Sequence, residues 1–153
     1  MGWWSTTIMG GDTPLDFKSD FYDKAGVDQF SPLTPKDKEA LSGLQDHFVG
    51  SGMDDLLNTW GCGESNGEFY IDHKSIGFQV LAVILMSVGT EIKPEMKALM
   101  LEWIPQDEWA KEDSERKGHI DKLLKTLNEY TGEPTKVPEK GLFDVWRDKL
   151  GQG

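Results

Sequence analysis

Residues 76–88 constrain this chain more than any other stretch. Ile76, Phe78, Val80, Leu81, Val83, Ile84, Leu85, Met86 and Val88 crowd into it with almost no polar relief. A segment apolar on all faces has no side to give to water, so it predicts a helix enclosed by the rest of the domain. The run is shorter than the ~20 apolar residues a bilayer crossing needs, which favours a buried core helix over a membrane span. Asp72 or Ser75 is placed to cap its start, and Gly89 to end it.

The flanking segments are one-sided. Thr13 and Pro14 open a helix running to about Lys24. Leu15, Phe17, Phe21, Tyr22 and Ala25 lie on one side of it, and Asp16, Asp20 and Asp23 on the other. Thr34, Pro35 and Asp37 form the pattern of a capping box, followed by Leu41, Leu44 and Phe48 at helical spacing. Gly50, Ser51 and Gly52 end that helix, and Ser51 is read as the cap of a short one carrying Met53, Leu56, Leu57 and Trp60. The glycine-rich stretch 61–67 reads as an exposed loop, and Glu68–Asp72 as a short extended piece able to pair with the N-terminal lead-in.

Beyond the central run, Pro94 starts a helix with Met96, Leu99, Met100 and Trp103, which Pro105 breaks. Residues 106–117 are dominated by charge and read as a surface helix anchored by Trp109, interrupted at Gly118. Ile120, Leu123, Leu124, Leu127 and Tyr130 then give another apolar face. The expected fold is mainly α: a single-domain bundle of five or six helices around 76–88, leaving open a minor short β pairing near the N-terminus. Residues 1–133 form the helical domain. Residues 134–153 are expected to form a proline-containing linker and an amphipathic segment, with Leu142, Phe143, Trp146 and Leu150, that docks on the same domain.

Composition bears on function mainly through charge. With 27 acidic and 16 basic residues the formal charge is -11, a field that repels phosphate backbones. Direct nucleic-acid binding is not expected, whereas a protein partner with a basic surface is. One cysteine, Cys62, permits no internal disulfide, and the N-terminus lacks the basic and apolar regions of a signal peptide; a cytoplasmic location is expected. The candidate interaction surface comprises Trp3, Trp4, Asp16, Asp20, Asp23, Trp109 and Trp146.

Patterns for chemistry are sparse. His47, His73 and His119 lack zinc-ligand spacing, no cofactor fingerprint is present, and Gly10 and Gly11 before Asp12 read as a turn, not a phosphate cradle. Cys62 with His73 eleven residues on, together with Asp12 or Asp72, offers the one arrangement for a thiolate–imidazole enzyme. The leading expectation is a non-enzymatic acidic protein-binding module of the inhibitor or immunity type. The alternatives are a small hydrolase-like enzyme using the N-terminal segment and the 60–73 loop, and a DNA mimic.

The N-terminal run Met1, Gly2, Trp3, Trp4, Ser5, then Ile8 through Phe17, resembles the opening of small bacterial and phage proteins in domain-of-unknown-function family 4259. Gly77 to Val88 and the segment ending in Trp146 continue that likeness, while Trp4, Gly10 and Gly11 depart from it. The resemblance implies a mostly helical small cytoplasmic protein and supplies no activity.

Overall fold

The computed structural model describes Ile8, residues 12–28 and residues 34–135. Among these residues there are seven α-helices: α1 (Asp12–Ala25), α2 (Pro35–Val49), α3 (Gly52–Thr59), α4 (Glu68–Val88), α5 (Pro94–Trp103), α6 (Glu108–Glu112) and α7 (Ser114–Glu129). Two short 3-10 turns, Glu64–Asn66 and Ile104–Gln106, precede α4 and follow α5. No strand occurs among the described residues, and the class is mainly α. The N-terminal lead-in expected to pair as a strand lies outside them apart from Ile8, as does the amphipathic segment with Leu142, Phe143, Trp146 and Leu150.

The central run is the hub. Helix α4 packs against α1, α2, α3, α5 and α7, and every residue from Ser75 to Ala82, with Ile84, Leu85, Met86 and Val88, is buried. By length and composition α4 could cross a bilayer, but 67% of that apolar stretch is buried within the domain, as in a core helix. Gly77 lets the neighbours come close: a Cβ there would stand 2.7 Å from Met53 Sδ on α3 and 3.0 Å from Phe17 Cε1 on α1. The central glycine, unfavourable by helix propensity, therefore serves packing.

Local signals worked where they were self-contained. The Thr34 capping box forms, with Asp37 N–H donating to Thr34 Oγ1 (3.2 Å) and Thr34 N–H to Asp37 Oδ2 (2.9 Å). Ser51, in contrast, caps nothing with its side chain and instead donates to Asp55 Oδ2 (2.9 Å).

Three expectations are corrected. Residues 68–72 are the first turns of α4, not an extended piece. Gly67, at φ +59, turns the chain out of the preceding 3-10 turn, and its carbonyl accepts Ile71 N–H (3.2 Å) as helix begins. Tyr70 is then held by tertiary partners: its hydroxyl donates to Asp54 Oδ1 (2.8 Å) and accepts from Lys74 Nζ (2.9 Å). Lys74 also lies over the Trp103 ring, 4.2 Å from its centroid. These contacts override the β propensity of the Phe69–Ile71 triplet.

Second, the break in the charged stretch comes at Asp113, not at Gly118, which lies inside α7. The Asp113 carboxylate accepts Arg116 N–H (3.0 Å) and caps α7, a stronger signal than a glycine in a helix interior. With α6 thereby separate, the described helices number seven instead of five or six.

Third, the charged stretch is not a surface helix hung on Trp109. Arg116 is 0% and Asp107 1% exposed. Asp107 Oδ2 accepts from Arg116 Nη2 (2.8 Å), Arg116 Nε (3.2 Å) and Gln79 Nε2 (2.9 Å). Arg116 Nη2 also donates to Gln79 Oε1 (2.9 Å), Gln79 Nε2 to Ser75 Oγ (3.1 Å), and Ser75 Oγ to Ile104 O (3.0 Å). This chain of bonds ties α4 to α6, α7 and the second 3-10 turn. Asp107 also caps α6, its Oδ1 accepting Ala110 N–H (2.8 Å). Trp109 is half-buried with the Arg116 guanidinium 5.2 Å from its ring centroid.

Candidate functional site

The acidic stripe of α1 and the loop after α3 meet in one cleft of about 540 Å³. Thr13, Asp16, Ser19, Asp20 and Asp23 supply the α1 wall, and Trp60, Cys62 and His73 face it from the loop and α4. The wall's shape follows from helical spacing: the apolar positions Phe17 and Phe21 go fully into the core, which turns the aspartates outward. Phe17 joins the two sides, its ring centroid 4.7 Å from that of Trp60.

The loop is fixed by the way α3 ends. Gly61 adopts φ +74, Gly61 N–H donates to Asn58 O (3.1 Å) and Cys62 N–H to Leu57 O (2.8 Å). This paired arrangement requires the left-handed backbone that glycine adopts without strain, and it delivers Cys62 to the cleft. His73 comes from the second turn of α4. Its Nδ1 lies 2.8 Å from Phe69 O and, since a carbonyl only accepts, donates to it.

The cleft's electrostatics are dominated by carboxylates. Burial pushes the Asp20 carboxyl above its ordinary 3.8, with Lys24 pulling it down, Asp23 adding to the rise and His47 opposing it. Lys24 Nζ is 3.8 Å from Asp20 Oδ2, too long for a hydrogen bond, and that buried oxygen has no hydrogen-bond partner among the described residues. A guest ammonium or guanidinium would meet acceptors from three aspartates beside an indole ring, a setting that favours cations through charge-assisted hydrogen bonds and ring attraction.

Cys62 and His73 share the cleft but do not bond to one another. Cys62 Sγ donates weakly to Trp60 O (3.8 Å), while the His73 hydrogen bond goes to its own helix. Asp72 belongs elsewhere: its Oδ1 accepts Glu108 N–H (3.2 Å) at the start of α6, and burial raises its carboxyl above 3.8 against that bond. Among the described residues no three His, Cys, Asp or Glu side chains gather as metal ligands.

Of the expected interaction residues, Asp16, Asp20 and Asp23 are brought together. Trp109 is engaged with Arg116 instead, and Trp3, Trp4 and Trp146 lie outside the described residues. Trp60, which the sequence marks only as an apolar helix position, contributes an indole to the cleft lining. Compared with protein-family models, curated proteins and solved structures, the chain shows no significant match.

Proposed function

We propose that this protein is a non-enzymatic binding module, of the kind that regulates a partner by occupying it, and that it captures a basic segment of another protein in the α1–Trp60 cleft. The observation that carries this reading is the convergence of Asp16, Asp20 and Asp23 with Trp60 in a single concavity of about 540 Å³. That volume suits a few side chains of a peptide segment. The overall charge of -11 supports the same polarity, because it draws basic partners in and speeds their encounter.

The test is isothermal titration of the full chain with a Lys/Gly peptide and a Glu/Gly peptide of equal length in 0.15 M salt. Saturable binding of the basic peptide alone is expected. The triple variant Asp16→Asn, Asp20→Asn, Asp23→Asn should bind it at least ~threefold more weakly, since exposed ion pairs contribute roughly 0.2–1 kcal/mol each. Equal affinity in wild type and triple variant would remove the cleft from the reading.

A second reading is kept alive by one observation: Cys62 and His73 line the same cleft. A thiol enzyme would need His73 Nε2 to approach Cys62 Sγ on substrate binding. The rate of Cys62 alkylation against pH decides it. A midpoint well below the ordinary ~8.5 that disappears in His73→Gln would support the enzyme, and an ordinary midpoint in both would end it.

A further inference from the structure

We infer that the segment bound in the cleft pairs its basic residue with an apolar one, and that the apolar residue seats on Phe69. The inference rests on the cleft being a site for basic segments.

Phe69 is 70% exposed, far more than the other exposed large hydrophobics Leu15 (40%), Leu101 (38%) and Val49 (36%). It sits in the first turn of α4, one helical turn before His73, and its carbonyl accepts the His73 ring N–H at 2.8 Å. Residues at this spacing share one face of a helix, so Phe69 lies on the same side of α4 as His73, which lines the cleft. Neither the helix nor the core demands an aromatic ring here: Tyr70 makes the contacts with Asp54, Lys74 and Trp103, and the core of α4 begins at Ser75. A large apolar ring left in water beside a charged concavity has the composition of a binding anchor inside a polar rim.

Charge complementarity selects the occupant. The carboxylates of Asp16, Asp20 and Asp23 favour a cationic neighbour for whatever covers the ring. A second copy of this chain, with the same charge of -11, would be repelled, and so would an anionic lipid surface. A short protein segment with Lys or Arg next to Leu or Phe satisfies both halves.

The experiment uses the full chain, the Lys/Gly peptide, and the same peptide with one glycine beside its central lysine replaced by leucine. Titrations in 0.15 M salt compare wild type with Phe69→Ser, a change at an exposed first-turn position that leaves the core intact. The leucine peptide should bind wild type about tenfold more tightly than the Lys/Gly peptide. Phe69→Ser should abolish that advantage while leaving Lys/Gly affinity unchanged. Equal affinity of the two peptides for wild type, or an advantage that survives in Phe69→Ser, overturns the inference while leaving the cleft reading intact. Binding of neither peptide overturns the cleft reading itself and the inference with it. Concentration-dependent self-association of wild type that Phe69→Ser abolishes would assign the ring to a contact between copies, and would likewise overturn the inference.

Discussion

Replacing Asp107 by alanine should be among the most damaging single changes in this protein. The Asp107 carboxylate accepts from Gln79 Nε2, twice from Arg116, and from Ala110 N–H at the start of α6. Its removal takes the Asp107 carboxylate from the Arg116 guanidinium, which is 0% exposed. Breaking one side of a buried ion pair costs about 3–5 kcal/mol, within which the lost helix cap contributes about 1. Against a total stability of roughly 5–15 kcal/mol, Asp107→Ala should retain a fold only marginally. Its melting temperature should fall by about 6–20 °C, at roughly 2–4 °C per kcal/mol for a chain of this size. Urea unfolding at pH 7 with a two-state fit measures the loss, and an unchanged denaturant slope would confirm that stability alone has moved. The triple change Gln79→Leu, Asp107→Leu, Arg116→Met removes the ion pair and its glutamine together, leaves Ser75 Oγ its bond to Ile104 O and gives up the Ala110 cap, and should lie within about 1–2 kcal/mol of wild type, because the desolvation cost of the pair vanishes with its attraction. A loss below about 1.5 kcal/mol in Asp107→Ala, or a triple variant worse than the single, would refute the reasoning.

Other expectations follow from the same packing. Gly77→Ala puts a methyl 2.7 Å from Met53 Sδ and should destabilise by about 1–3 kcal/mol despite better helix propensity, read by urea midpoint. Gly61→Ala meets φ +74 and should cost about 1–2 kcal/mol while perturbing amide resonances of the 60–63 loop. For Asp72 the folded carboxyl titrates above its ordinary 3.8, so its contribution is fully present below that value and is lost as pH rises through the folded pKa. Asp72→Asn keeps an acceptor for Glu108 N–H, so its stability relative to wild type should increase between pH 4 and pH 7. A difference that does not change with pH in parallel urea titrations would contradict that assignment.

Features written locally were legible in the sequence. The Thr34–Asp37 box depends on residues three apart, and the all-round apolarity of 76–88 on that stretch alone, so both emerge without tertiary knowledge. The acidic face of α1 was legible for the same reason, whereas on the facing side Trp60 read only as an apolar helix position and 68–72 as extended chain. Their convergence was not, because residues 13–23 meet 60–73 only through the packing of Phe17 on Trp60 and of α1 on α4. The Phe69–Ile71 triplet misleads because β-branched and aromatic residues suit strands until Asp54, Lys74 and Trp103 hold Tyr70 in a helix. Asp107 and Arg116 look like solvated charges because nothing nearby in sequence reveals Gln79, 37 residues from Arg116. A signal was present all the same: Gln79 is a hydrogen-bonding side chain inside an otherwise apolar buried run, and such a group requires a partner.

The α1–Trp60 cleft is proposed to receive a basic segment. Its most direct test is a ¹⁵N-resolved NMR titration of the full chain with the Lys/Gly peptide in 0.15 M salt. Saturable shifts concentrated at residues 13–23 and 60–73, and lost in the Asp16→Asn, Asp20→Asn, Asp23→Asn variant, are the expected result. Saturable shifts that avoid those two segments, or the absence of any saturable shift, would contradict it.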